Sequence, residues 1–139
     1  MRLSTKGRYG LKAMFDLSLN YGGTPVPLRD IAERQGLSEN YLEQIIANLR
    51  KAGLVQSVRG AHGGYNLTRK PSEITVGDVL RAVEGPLGIV DCVLEYGQKE
   101  CSKYKDCITR IVWEKINDSI VKTTDSITLE DMCNEKSKN

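Results

Sequence analysis

The sequence is short of aromatic residues: one Trp, one Phe and six Tyr make up 6% of 139 residues. Its core is therefore expected to be aliphatic. No run approaches the ~20 apolar residues of a membrane span. The opening residues, Met1-Arg2-Leu3-Ser4-Thr5-Lys6-Gly7-Arg8, lack the apolar stretch of a signal peptide, so a cytoplasmic protein with no membrane partner is expected. A nucleotide-binding glycine motif and an evident catalytic base are both missing, which argues against an enzyme. There is no internal repeat, and the sequence contains a single histidine, His62. The four cysteines include no Cys-x-x-Cys pair, which weakens zinc-ribbon and thioredoxin readings. Four cysteines in a reducing compartment favour metal binding or redox chemistry over structural disulfides.

What is present is ordinary globular material, 40% hydrophobic and 27% charged, enough for one compact domain with an appendage or two very small domains. The net charge of +2 conceals an asymmetry. Residues 1–70 hold 11 Lys and Arg against 5 Asp and Glu, whereas residues 71–139 hold 9 against 13. A basic front half is what a phosphate-binding surface requires, and an acidic back half would be repelled by DNA.

Apolar periodicity organises the chain. Leu11, Met14, Leu17 and Tyr21 mark an amphipathic helix over residues 7–21, stopped by Gly22-Gly23-Thr24-Pro25. A second helix opens at Val26-Pro27, buries Leu28, Ile31 and Ala32, and ends at Gly36. Ser38 caps a third helix, Glu39 to about Lys51, with Tyr41, Leu42, Ile45, Ile46 and Leu49 at helical spacing. Two short helices around a glycine turn form a helix-turn-helix candidate. Two alternating runs, Leu54–Arg59 and Tyr65–Thr68, flank Gly60-Ala61-His62-Gly63-Gly64 and read as a β-hairpin wing. Residues 74–83 read as a short helix. From Glu84 to Asp106 the chain is irregular and polar, and a loop of that length in a small protein usually has a function. Ile108, Ile111, Val112, Ile116, Ile120 and Val121 then line a long helix whose apolar stripe needs a partner, expected to be a second subunit. Ile127 to Met132 adds a short helix, and residues 134–139 are expected to be a frayed tail.

A recognition helix offers its N-terminal residues to base edges in the major groove. Here these are Ser38, Glu39, Asn40, Tyr41, Glu43 and Gln44. Asn and Gln pair bidentately with adenine, and Glu accepts from the cytosine amino group. The wing offers Arg59 to a narrow minor groove, with His62 at its tip. Lys6, Arg8 and Tyr9 are candidate phosphate contacts. Against this stands a winged helix used only for protein contacts, which the basic charge and polar face disfavour. Tyr41 and His62 also have plain structural readings, as a core residue and a turn residue.

In the acidic half, Cys92 and Cys101 enclose eight residues, Cys101 and Cys107 enclose five, and Cys133 stands 26 positions further on. Three cysteines on one loop are able to wrap an iron–sulfur cluster, whose usual ligands are thiolates.

Several stretches resemble the IscR/NsrR/CymR family of bacterial winged-helix repressors, the Rrf-two family. They are residues 1–9, Ile31-Ala32-Glu33-Arg34-Gln35-Gly36, Tyr41-Leu42-Glu43-Gln44, Val58-Arg59-Gly60 followed by Gly63-Gly64-Tyr65, and Ile127-Thr128-Leu129-Glu130. The resemblance covers residues 1–133. It implies a mainly α fold with a small β-hairpin wing, a winged helix-turn-helix plus a long dimerisation helix. It also implies a homodimer that binds near-palindromic operators. The expected organisation is a DNA-binding domain over 1–83, a cysteine loop over 84–107, a dimerisation helix and short C-terminal helix over 108–133, and a tail. By resemblance, Cys92, Cys101 and Cys107 are cluster ligands, Glu43 and Gln44 fall on base-reading positions, and Arg59 is the wing arginine. The IscR-like character favours [2Fe–2S] over [4Fe–4S].

The fourth ligand departs from the family pattern. IscR-like proteins place a His three residues after the third Cys; here that residue is Arg110, whose guanidinium has no free lone pair for iron. NsrR-like proteins use a carboxylate from the partner's first helix; the matching position here is Arg8 or close to it. Glu43, Cys133, His62 and an exogenous ligand remain, with Glu43 of a partner subunit ranked first. The leading expectation is a homodimeric repressor controlled by an iron–sulfur cluster, governing cluster assembly or cysteine metabolism genes. The alternative is a cluster-free repressor of cysteine metabolism, controlled by thiol oxidation or by a cysteine-biosynthesis enzyme partner.

Overall fold

The computed structural model describes residues 3–95 and 107–138. Among these residues, six helices and one hairpin follow in order: α1 (Thr5–Leu19), α2 (Leu28–Gln35), α3 (Glu39–Lys51), β1 (Val55–Val58), β2 (Gly64–Leu67), α4 (Val76–Glu84), α5 (Ile108–Ser126) and α6 (Leu129–Lys138). One-turn 3-10 helices sit at Pro71–Glu73 and Asp91–Val93. This is the expected mainly helical fold with a hairpin wing.

Local signals place most boundaries. Ser4 caps α1, its Oγ accepting from the Gly7 N–H at 3.4 Å. The helix thus starts two residues before the predicted span and ends at Leu19, leaving Tyr21 exposed beyond its C-cap instead of on the buried face. Gly36 takes a left-handed conformation (φ 65°) at the end of α2, which a residue with a Cβ adopts only under strain. The Leu37 N–H then reaches back to the Ala32 carbonyl at 2.8 Å, closing the turn into Ser38 and α3. The bounds of α3 match the expected ones.

The core is aliphatic, as expected. Met14, Leu17, Ile31, Leu42, Ile45, Ile46, Leu49, Val55, Ile74 and Val79 are fully buried where α1, α2, α3, α4 and the hairpin converge. A charged clamp fastens α2 to α1. Buried Asp16 accepts from Arg34 Nε at 2.9 Å, Arg34 Nη2 at 2.8 Å and Gln35 Nε2 at 3.2 Å. Arg34→Leu strands most of that buried carboxylate. It is expected to lower unfolding free energy by about 1.5–3 kcal/mol in urea titration, the usual range for a hydrogen bond to a charged group.

The wing pairs β1 with β2 in register Val55↔Leu67, Gln56↔Asn66, Ser57↔Tyr65 and Val58↔Gly64. Val26 adds a rung against Tyr65, with N–H···O distances of 3.0 and 2.8 Å, tying the wing to the α1–α2 connection. Thr75 and Asp78 exchange side chain-to-backbone bonds at 3.0 Å at the start of α4. Thr128 and Asp131 do the same for α6. The Val76 N–H donates to the Ile127 carbonyl at 2.8 Å and the Leu129 N–H to the Ile74 carbonyl at 2.9 Å. Leu129 is wholly buried, so α6 docks back on the winged-helix core. It continues through Lys138, so residues 134–138, expected to be a frayed tail, are helical.

Helix α5 is the exception to core packing. Ile108, Ile111, Val112 and Ile116, predicted to line an apolar stripe, are 74%, 44%, 47% and 40% exposed. These four are uncovered by the described residues of the chain, whereas Ile120 and Val121, assigned to the same stripe, are half-buried. Among the described residues of this helix, Asn117 alone is buried.

Candidate nucleic-acid interface and cysteine centre

Burial of Leu42, Ile45, Ile46 and Leu49 fixes the rotation of α3 and leaves Glu39, Asn40, Glu43 and Gln44 exposed on its opposite face. Ser38, also a candidate contact, has its Oγ accepting from the Tyr41 N–H at 3.4 Å, so its hydroxyl serves as the helix cap. Tyr41 is half-buried, its ring meeting Tyr9 edge-to-face with centroids 5.6 Å apart. The two tyrosines therefore brace α1 against α3. Lys12, which sequence reasoning did not single out, sits 5.8 Å over the Tyr9 ring, and the Arg8 guanidinium 5.9 Å. Lys6 and Arg8 are exposed. Arg59 and His62 are exposed on the turn joining β1 and β2, which the Gly63 N–H closes onto the Gly60 carbonyl at 3.0 Å. Arg8, Tyr9 and Tyr41 are thus brought together at the α1–α3 junction, Lys6 stands exposed in the first turn of α1, and Arg59 and His62 stand on the wing.

The cysteines occupy the other end of the chain. Cys92 lies in the 3-10 turn Asp91–Val93 and is half-buried. Cys107 is the N-cap residue of α5, its Sγ 3.1 Å from the Thr109 hydroxyl. That hydroxyl, followed by the Arg110 backbone N–H, holds the Cys107 thiol below its ordinary range. Cys101 lies outside the described residues. Burial, followed by the charge of Glu130, pushes the Cys133 thiol on α6 the other way. Arg110 forms an ion pair with Glu114 at 2.5 Å one turn along α5, and cannot replace a histidine ligand. Among the described residues, no three His, Cys, Asp or Glu side chains converge on a metal-sized site. The chemistry of Cys107 does fit a soft metal centre, because its surroundings favour the thiolate that iron requires.

Two polar fixtures that sequence reasoning missed frame the described part of the cysteine loop. Asn117 Oδ1 accepts from the Ile89 N–H at 3.1 Å, and its Nδ2 donates to the Val93 carbonyl at 3.2 Å. Arg81 of α4 forks between Glu95 of the loop (2.9 and 2.8 Å) and Asp125 of α5 (2.7 and 2.8 Å). Glu95 Oε2 also accepts from the Leu87 N–H at 3.1 Å. A Cβ on Gly77 would occupy the space of the Asp125 carboxylate, so a glycine there lets α5 approach α4. A polar residue interrupting the α5 stripe was the available signal for Asn117. Arg81, Glu95 and Asp125 are separated by 14 and 44 positions and share no local pattern.

The Arg81 guanidinium holds both the Glu95 and Asp125 carboxyls below the usual carboxylate range. Because both are depressed in the folded chain, the stability they confer is present above about pH 4. It is lost as pH falls through their lower folded values. Arg81→Leu is therefore expected to destabilise the protein clearly at pH 7 and progressively less as pH falls below about 4, read as the gap between wild-type and variant urea midpoints.

The family model for Rrf2, described as "Iron-dependent Transcriptional regulator", matches residues 3–135. The chain belongs to the Rrf2 family. The Rrf2 protein CymR of Bacillus subtilis (strain 168) is 47% identical over 132 residues, 95% of this chain and 89% of that protein. Its solved structure, described as the global cysteine regulator of B. subtilis, superposes with a TM-score of 0.80 at 42% identity, covering 97% of this chain and 98% of that one. IscR of Pectobacterium atrosepticum is 44% identical over 136 residues, 98% of this chain and 81% of that protein. The structure of T. potens IscR has a TM-score of 0.80 at 51% identity, covering 98% of this chain and 88% of that one. This Rrf2 chain is thus a winged-helix transcriptional regulator and not an enzyme. Among its described residues no helix is long and apolar enough to cross a membrane.

Proposed function

We propose that the chain is a homodimeric, cytoplasmic repressor whose affinity for double-stranded operator DNA is set by an iron–sulfur cluster on Cys92, Cys101 and Cys107. The observation that carries this reading is the mounting of Cys107. It stands at the head of α5 with its thiolate favoured by Thr109 and the Arg110 backbone, while Cys92 stands on a turn held by Asn117. When bound, such a cluster supplies a redox- and iron-responsive centre, and [2Fe–2S] is preferred over [4Fe–4S]. The resident residues then have distinct tasks. Lys6 and Arg8 hold backbone phosphates. Asn40, Glu43 and Gln44 read bases, with Glu39 near the helix N-terminus, and Arg59 and His62 follow the adjacent groove. Ser38, Tyr9 and Tyr41 hold the reading helix in place. The exposed α5 stripe joins two subunits.

Glu43 is assigned as the fourth ligand, reaching the centre of the partner subunit. Its carboxylate is exposed on the reading helix, and binding iron would withdraw it from cytosine recognition. An unchanged cluster spectrum in Glu43→Ala would contradict this assignment. The regulated genes serve iron–sulfur assembly or cysteine metabolism.

The 47% identity to CymR and the Arg110 substitution favour a second reading: a cluster-free repressor of cysteine metabolism, governed by thiol oxidation or by a cysteine-biosynthesis enzyme. Anaerobic purification followed by visible spectroscopy and iron and sulfide assay separates the two. A red-brown protein with about two irons and two sulfides per subunit supports the first. A colourless protein that also takes up nothing on reconstitution leaves the second.

A further inference from the structure

Helix α5 leaves Ile108, Ile111, Val112 and Ile116 in solvent and buries an amide. Asn117 is 5% exposed, while Val112 and Ile116 beside it on the same helix are 47% and 40% exposed. That inversion has a cause in the loop that lies over it. The Asn117 amide presents an acceptor to the Ile89 N–H and a donor to the Val93 carbonyl, so one side chain bridges two backbone groups four positions apart. These groups stand three residues before and one residue after Cys92. Within the bridge, the Val93 N–H closes on the Val90 carbonyl at 3.1 Å and the Leu94 N–H on the Asp91 carbonyl at 3.3 Å. No aliphatic residue provides either bond, a carboxylate provides only the acceptor, and a hydroxyl is too short to reach both.

We infer that Asn117 is the positioning residue of Cys92, holding its turn against α5 so that the thiol is in place before any cluster arrives. The ligation part of this inference rests on the cluster reading above; the positioning part does not. Arg81, through Glu95, secures the downstream end of the same segment. Asn117 holds the residues that flank the thiol itself. Outer partners of this kind, which orient a ligand without touching the metal, change metal retention strongly when removed.

The test uses the full chain in two forms. In the cluster-free form, alkylation by iodoacetamide is followed residue by residue by mass spectrometry, with Cys133 as reference within the same molecule. Asn117→Leu, which removes both bonds, is expected to raise the Cys92 rate relative to Cys133 about tenfold. Asn117→Asp, which keeps the acceptor for Ile89, should fall between wild type and Asn117→Leu. Thr68→Val removes a 2.6 Å hydrogen bond to the Gly53 carbonyl beside the wing and should leave the ratio unchanged, separating local positioning from general loosening. In the reconstituted form, cluster loss to a ferrous chelator is expected to be about 10–100 times faster in Asn117→Leu than in wild type. Wild-type rates in either arm would overturn the inference. If wild type takes up no cluster, the cluster reading fails and the alkylation arm alone decides the positioning claim. If Asn117→Leu does not fold, Asn117→Asp decides by the same two rates.

Discussion

Ile116→Glu is expected to convert the protein into a folded monomer. The side chain lies in the middle of the uncovered α5 stripe, 40% exposed in the single chain, and contributes nothing to the winged-helix core. A carboxylate there leaves the intrachain packing intact. In a dimer built on that stripe, however, it would bury two unpaired charges, a cost no surface contact offsets. Sedimentation should report half the mass of the wild-type species, with an unchanged helical circular-dichroism signal. Operator affinity should fall by about 10²-fold or more, because two linked half-site contacts become independent ones. A variant that remains dimeric would place the subunit contact elsewhere.

Gln44→Ala is expected to produce the next largest effect. Its side chain projects from the exposed face of α3, opposite the buried Leu42, Ile45 and Ile46, so its removal leaves the fold unaltered. A bidentate contact to a base is worth about 1–3 kcal/mol per half-site, hence about 2–6 kcal/mol on a two-half-site operator. The loss should be confined to operator DNA. Random duplex should bind as before, since the phosphate contacts proposed for Lys6 and Arg8 are untouched by the substitution. Equal losses on operator and random DNA, measured by fluorescence anisotropy at one salt concentration, would remove Gln44 from the base-reading set.

The winged-helix half was legible because its signals are local. Ser38, the spacing of Leu42, Ile45, Ile46 and Leu49, and the following Gly53 set α3, and the glycine-rich turn set the hairpin. The apolar spacing of α5 was equally legible, and reading it as unpartnered matches its exposure. Tyr21 falls outside α1 because Asn20 caps the helix earlier than apolar spacing suggests: the Asn20 N–H donates to the Leu17 carbonyl at 3.2 Å. Residues 134–138 are helical because Thr128 and Asp131 start α6 firmly and Leu129 anchors it, a tertiary effect that terminal composition does not record. The candidate contacts on α3 and the wing were readable from chemistry and motif. The burial of Tyr41 against Tyr9 depends on how α1 crosses α3. The Arg81–Glu95–Asp125 clamp and the Asn117 bridge join residues 14 to 44 positions apart, and only the folded chain brings them together.

Whether a cluster on the cysteine loop sets DNA affinity is decided by titrating one operator duplex with a single anaerobic preparation before and after its cluster is removed by a chelator. Cluster control requires a change in operator affinity of at least about fivefold, the lower range of allosteric coupling between two sites. That change should be absent in Cys107→Ala. Identical affinities for the loaded and stripped dimers would contradict cluster control and leave a repressor governed by its thiols or by a protein partner.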